Sequence, residues 1–565
     1  MIRKRHNFNT LADLYGYAVE KHSKREVSQY IDGSQHYTYA EFDETCRRIS
    51  RLLANFGIMP YNKVAIFSQN MPNWTVAFFA ITAFGRIAVP MLTDLSANEI
   101  TNILSHSDSR ALFVSKKLLP KVPKEALENI AVVICTDDLS VLMINNNDYT
   151  CDGQIATPRE DDIATIIYTS GTTGAAKGVM LSHRNLCANV QEAWYAHKVY
   201  RKDTFLSILP MAHAYEMSIG MLYPFSQGSK VYYISKPPTP TVLVSALADI
   251  RPTTMLSVPL VIEKIYRSSV APTIAKSPTL TWLKEKMPWL LYWIVGSKVK
   301  KVFGGKIRFF GIGGAKLDPE VESFLHKARF PYAIGYGLTE TAPLICDAAP
   351  FKTKVGSTGK PSHGVQVRLE NVNPETGEGE LVAKGDNVMR GYYKDYNRTL
   401  EVLTPDGWFH TGDLAYCDDK GRYYIKGRMG SVIVGASGEN IYPEEIESVI
   451  NGIEGINESL IVERQGQLVA LVHFQESVLD WNFEGEEKFL HSVEEKKQQV
   501  LDYVNSHVNK NSQVKEVKVQ KEEFSKTATK KIRRFLYKDK DEVDPNAIAE
   551  ETPEETPTDN NENKQ

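Results

Sequence analysis

Residues 168–179 read Tyr-Thr-Ser-Gly-Thr-Thr-Gly-Ala-Ala-Lys-Gly-Val, and these types at this spacing suit the handling of phosphate. Gly171, Gly174 and Gly178 let backbone N–H groups turn inward and approach an anion closely. Ser170, Thr172 and Thr173 add hydroxyl donors, and Lys177 adds a mobile positive charge. The spacing after the second glycine differs from that of a G-x-x-x-x-G-K-[ST] P-loop. Just before the run, the apolar, β-branched residues 163–167 read as a buried strand. A flexible Gly/Ser/Thr linker is the competing reading. The lysine and the preceding strand favour a phosphate loop.

Further runs carry chemistry. His213 follows the apolar residues 205–209 and Pro210, which places it in a loop beyond the C-terminal edge of a strand, where open α/β sheets keep their ligands. A single histidine there is either structural or catalytic. Residues 307–310 lead into Gly311-Ile312-Gly313-Gly314-Ala315, whose main chain can lie flat against a planar ligand. Asp318 with Pro319 then opens a helix. Gly335-Tyr336-Gly337-Leu338-Thr339-Glu340-Thr341 offers an aromatic to stack on a purine, a hydroxyl to reach a phosphate, and a carboxylate for a hard cation. Asp413 sits in Trp408-Phe409-His410-Thr411-Gly412-Asp413-Leu414, either as a turn residue or as an acceptor for ribose hydroxyls.

Taken together, and in this order along the chain, these runs resemble the AMP-forming acyl-CoA synthetases, the adenylating superfamily that includes luciferases and peptide-synthetase adenylation domains. The likeness covers roughly residues 10–536, and the stretch from Arg251 looks like the long-chain fatty-acid branch. It implies that residues Thr169, Ser170, Gly171, Thr172, Thr173, Gly174 and Lys177 hold the β- and γ-phosphates of ATP. Tyr336, between Gly335 and Gly337, would pack on adenine. Thr339 would touch the α-phosphate and Glu340 would bind Mg²⁺. Gly314 and Ala315 would line the acyl and adenine sites, with His213 near the acyl and adenylate groups. Asp413 would hold the ribose, Arg428 would touch the ribose or phosphate, and Gly438 would line the pantetheine tunnel for CoA. In Phe524-Ser525-Lys526-Thr527-Ala528-Thr529-Lys530-Lys531-Ile532-Arg533-Arg534 the catalytic lysine aligns with Lys531. The family pattern is not kept everywhere: Ala176 and Ser525 stand for proline, Lys530 for glycine, and Gly430-Ser431 for the usual hinge pair.

The implied reaction is ATP-dependent activation of a long- or medium-chain fatty acid to acyl-AMP, then thioester formation with CoA. Loading of an acyl carrier protein and a catalytically silent nucleotide-binding homologue are the alternatives.

The elements that must position these residues follow from pattern. Phe42, Cys46, Ile49, Leu53 and Phe56 recur at helical spacing and Gly57 ends the helix. Thr10-x-x-Asp13 and Ser96-x-x-Glu99 read as capping boxes. Residues 64–67, 111–114 and 131–135 read as strands of a parallel sheet covered by helices. Residues 355–408 read as a small antiparallel β subdomain. With the resemblance, the expected class is α/β. Residues 1–430 form a large domain of two parallel α/β subdomains plus the small β subdomain. Residues 431–540 form a small mobile α/β lid, and 541–565 a disordered acidic tail.

That tail carries net charge −8, which leaves +5 on the remaining residues against −3 for the whole chain. The balance suits anionic nucleotides or a membrane surface rather than nucleic acid. Six scattered cysteines without a C-x-x-C pair suit a reducing compartment. No apolar region follows the basic start, so no signal peptide is expected. A cytoplasmic protein is expected, peripheral at the inner membrane face if residues 289–301 meet lipid. Trp289, Tyr292 and Trp293 followed by Lys298, Lys300 and Lys301 suit either an interfacial helix or a core helix.

Overall fold

Apolar runs a few residues long, separated by helices, become the strands of two sheets. The computed structural model describes residues 7–145, 155–170, 176–236, 239–434, 440–476, 478–479, 486–527 and 531–537. The chain divides into two compact units, Met1–Val432 and Ile433–Gln565.

The first sheet has a parallel centre in the spatial order Ile163–Ser170, Ile87–Met91, Lys63–Phe67, Ser109–Val114, Val132–Cys135. Antiparallel strands extend both of its edges, Ala176–Ser182 then Gly391–Tyr392 on one side and Val141–Ile144 on the other. In the second sheet the parallel centre runs Tyr332–Gly337, Phe309–Ile312, Thr254–Ser257, Thr204–Ser207, Lys230–Tyr233, Glu26–Tyr30. Central strands such as Lys63–Phe67 and Ile87–Met91 are almost wholly buried, which is why they read as continuous apolar runs rather than alternating ones.

Helix Pro72–Thr82 is buried at every residue and packs on strands of both sheets. Beside it, Phe79 lies 4.4 Å from Phe225, and Tyr15 stacks on Phe225 at 6.3 Å. Ring pairs of this kind add about 0.5–1.5 kcal/mol each beyond their area burial. In helix Tyr39–Asn55, Phe42, Cys46, Ile49 and Leu53 are fully buried, and Gly57 follows with φ +71°. Both expected capping boxes form; Thr10 and Asp13, for instance, exchange side-chain-to-backbone hydrogen bonds of 3.0 Å.

A four-stranded antiparallel sheet completes the first unit: Gln366–Glu370, Gly379–Lys384, Phe409–Cys417 and Tyr423–Arg428. The second unit pairs Ile456–Arg464 with Gln467–Phe474 and adds Glu516–Val519 in parallel. Helix Pro443–Ile450 sets Ile446 and Ile450 into its core, together with Val500 and Val504 of helix Glu486–His507.

One expectation changes here, and one of two open alternatives closes. Residues 168–170 and 176–179 are strand rather than loop, because Ile163–Ser170 and Ala176–Ser182 pair antiparallel. Trp289 and Trp293 do not belong to the core. Helix Pro288–Val302 buries Leu291, Val295 and Val299, so the tryptophans two residues away fall outside, 67% and 66% exposed. Among the described residues no helix is long and apolar enough to cross a membrane.

Candidate functional site

The hairpin decides where the lysine sits. Thr169 pairs across from Lys177 and Tyr168 from Gly178. A Cβ on Gly178 would come within 2.9 Å of Ile166 and 3.2 Å of Tyr168, so the crossing requires glycine. Residues 389–393 then act as a bracket. Met389 N–H donates to the Glu340 carbonyl at 2.8 Å, Arg390 N–H to Met180 at 2.9 Å, and Tyr393 N–H to Gly178 at 2.7 Å. The bracket brings Lys177, Glu340 and Tyr392 together. Lys177 Nζ lies 3.1 Å from Glu340 Oε1 and donates to the Tyr392 hydroxyl at 2.8 Å. That hydroxyl donates to Glu340 Oε1 at 3.0 Å, and the ammonium lies 4.5 Å from the Tyr392 ring centre. Burial first, and the Glu340 charge next, hold the Tyr392 phenol far above its ordinary pKa, so it stays a donor. The Thr169 hydroxyl is buried without a partner among the described residues.

Strand Tyr332–Gly337 runs straight into the turn Thr339–Thr341 that carries Glu340. A Cβ on Gly337 would sit 1.6 Å from the Pro343 carbonyl oxygen, so the backbone doubles back only because that residue is glycine. Tyr336, four residues before Glu340, donates its phenol to Asp413 Oδ2 at 2.6 Å. Asp413 Oδ1 meets Arg428 Nε at 2.8 Å, and Arg428 Nη1 donates to the Thr411 carbonyl at 3.0 Å. Asp413 is not a turn residue. It lies inside strand Phe409–Cys417, directly opposite Arg428 in register. Burial, then the Asp413 carboxylate, push the Tyr336 phenol well up.

The other candidates lie past the C-terminal ends of parallel strands in the second sheet. Gly314 and Ala315 follow Phe309–Ile312 and are exposed, Gly314 at φ +87°. His213 is half-buried where strand Thr204–Ser207 gives way to a helical segment; its N–H donates to Pro210 and its carbonyl accepts from Met217. Thr339 is half-buried at the start of its turn. The same sheet borders a small cavity with an almost wholly apolar wall, lined by His197, Phe205, Tyr215, Phe309, Gly311 and Gly335 among others. A Cβ on Gly311 would meet the Tyr215 hydroxyl at 2.7 Å, so this glycine keeps the space open. His197 stacks on Phe309 at 4.5 Å, and burial, helped by Arg308, lowers its pKa to about 4, leaving it neutral.

In the second unit, Lys531 is exposed. Thr527 N–H donates to its carbonyl at 2.8 Å, and its own N–H donates to the Thr527 hydroxyl at 3.2 Å. Gly171, Thr172, Thr173, Gly174, Gly438 and Lys530, and the tail 541–565, lie outside the described residues. Tyr392, Tyr215 and the cavity were missed from sequence. The Gly391-Tyr392-Tyr393 run was the available signal for Tyr392.

The sequence pattern described as "AMP-binding enzyme" matches residues 17–393. The chain belongs to the AMP-binding enzyme family. As an AMP-forming acyl-CoA synthetase, it is an acid–thiol ligase with a two-step reaction through acyl-AMP. It is 30% identical to "Long chain acyl-CoA synthetase 6, peroxisomal" of Arabidopsis thaliana, over 78% of this chain and 69% of that one. It is 28% identical to a chloroplastic long-chain-fatty-acid–[acyl-carrier-protein] ligase of the same plant, over 78% and 72%. Its fold matches the O-succinylbenzoate coenzyme A synthetase of Bacillus subtilis, solved with ATP and magnesium ion, with a TM-score of 0.72 and 23% identity over 92% of this chain and 98% of that one.

Proposed function

We propose that this synthetase activates a long-chain fatty acid with ATP and passes the acyl group to CoA. One observation carries the reading. Residues 335–341 border an apolar cavity through Gly335 and also anchor two polar clusters, one through Tyr336 and one through Glu340. Joining an apolar tail to a nucleotide requires the two environments to meet at a short polar segment.

In the first step a carboxylate oxygen attacks the α-phosphorus and pyrophosphate leaves. In the second, the CoA sulfur attacks the acyl carbon and AMP leaves. The protein provides no covalent nucleophile; it positions groups and neutralises charge. Lys177, fixed by the hairpin, neutralises the leaving phosphates. Asp413 and Arg428 orient the ribose, and Tyr336, held by Asp413, offers its ring to the adenine. Thr339 donates toward the α-phosphate, His213 borders the acyl carboxylate, and Lys531 bridges that carboxylate and the α-phosphate. A single carboxylate plus substrate phosphates is a normal set for Mg²⁺, and Glu340, against which the Lys177 ammonium already lies at 3.1 Å, fits it. Bound there, Mg²⁺ supplies charge neutralisation at the phosphates.

Pyrophosphate release, measured with ATP, Mg²⁺ and acids of two to eighteen carbons, tests the reading. Turnover should rise with chain length. Flat or absent turnover beyond about ten carbons would overturn it. Because one relative is named for an acyl carrier protein, CoA and phosphopantetheinylated carrier protein are compared as acceptors; we expect CoA to be preferred.

A further inference from the structure

Helices Pro278–Lys286 and Pro288–Val302 pack against one another and present an outer face that the activation chemistry does not use. Helix Pro288–Val302 is held to the body through Leu291, Val295 and Val299. Gly296 sits so near Ala328 that a Cβ there would lie 2.6 Å from the Ala328 carbonyl oxygen. This close approach fixes the rotation of the helix about its axis. Trp289 and Trp293, one turn apart, therefore stay outside, two-thirds exposed, and Trp282 on the preceding helix is 54% exposed. Tyr292 turns the other way and is covered by Lys327, 5.5 Å from its ring centre.

Three exposed indoles on one helical pair are unusual on a protein surface that meets only water. The charge around them is one-sided. Residues 271–306 hold seven lysines, Lys276, Lys284, Lys286, Lys298, Lys300, Lys301 and Lys306, against one acid, Glu285, whereas the whole chain is net −3. Lys300 shares a side of the helix with Trp289 and Trp293. Amphipathic rings beside lysines are the composition that settles at the headgroup level of a bilayer.

We propose that this face docks on an anionic lipid surface, with the indoles at headgroup depth and the lysines over the phosphates, and with no segment crossing the bilayer. The inference stands independently of which acid is activated. Charge complementarity selects lipid over a second copy of this chain, since two faces of net charge +6 would repel. Each lysine near an anionic surface strengthens partitioning roughly fivefold, so binding is reversible and falls with salt.

The test is cosedimentation of the full-length protein, without substrates, with vesicles of phosphatidylcholine alone and with 30% phosphatidylglycerol. The wild type should bind the anionic vesicles at least tenfold more tightly, and less at high salt. Trp289→Ser with Trp293→Ser should lower binding at least tenfold at every salt concentration, with an unchanged melting temperature and short-acid activity. Lys298→Glu with Lys301→Glu should weaken binding and its salt dependence while leaving the fold intact. Three results would overturn the proposal: no vesicle binding by the wild type, equal binding by the tryptophan variant, or a self-association that the tryptophan variant alone loses.

Discussion

Lys177, Glu340 and Tyr392 form a closed triangle with sides of 3.1, 2.8 and 3.0 Å. Its tyrosine gives a buried carboxylate a charge-assisted hydrogen bond, worth about 1.5–3 kcal/mol. Tyr392→Phe removes that donor and keeps the ring. We expect the apparent KM for ATP to rise about tenfold and stability to fall by about 1.5–3 kcal/mol; steady-state kinetics against ATP and Mg²⁺ check this, and an unchanged KM would reduce the hydroxyl to a packing role. Lys531 is tested through the separate half-reactions. Lys531→Ala should slow acyl-AMP formation about a hundredfold, the usual effect of losing one preorganised charge contact, and spare thioester formation from supplied acyl-AMP. If Lys530→Ala produces that pattern instead, the register of the motif is shifted by one.

Elements bring these residues together, and that step is where reading from sequence stops short. Strand Lys63–Phe67 was legible as a short continuous apolar run, and helix Tyr39–Asn55 because burial of one face imposes a period. Lys177, Tyr336, Glu340, Asp413 and Arg428 each stood out within its own run. That Asp413 faces Arg428, or that residues 389–393 tie Glu340 to the hairpin, depends on strand register between distant segments, which no local pattern records. The helical segment Glu216–Leu222, wound wider than an α-helix, hides another such feature. Glu216 is buried against Gly220, whose Cβ would meet the carboxyl at 2.6 Å, and burial raises its pKa to about 8. It is then protonated in the fold and ionised in the unfolded chain between about pH 4.5 and pH 8. Stability from this group is full below the lower value and falls as pH rises, by about 1.4 kcal/mol per unit. Glu216→Gln should flatten that slope, so its melting temperature gains on the wild type from pH 5 to pH 8. Parallel curves would show that Glu216 does not carry the proton.

For the whole molecule, the division at Val432 and Ile433 separates two sets of candidates. Lys177, Tyr336, Glu340, Asp413 and Arg428 belong to the first unit, and Lys531 and Gly438 to the second. Each unit has a hydrophobic core of its own. A fragment of residues 1–432 should therefore fold and bind ATP within about tenfold of the full chain, yet form acyl-AMP at least a hundredfold more slowly. Calorimetry and pyrophosphate release separate the two outcomes. A fragment as active as the full chain would remove Lys531 from the reaction, and an unfolded fragment would show that the units stabilise one another.

The pairing of Thr169 with Lys177 reaches beyond the site. Because the lysine is moored to a neighbouring strand, its position is inherited from the sheet and not from the intervening residues.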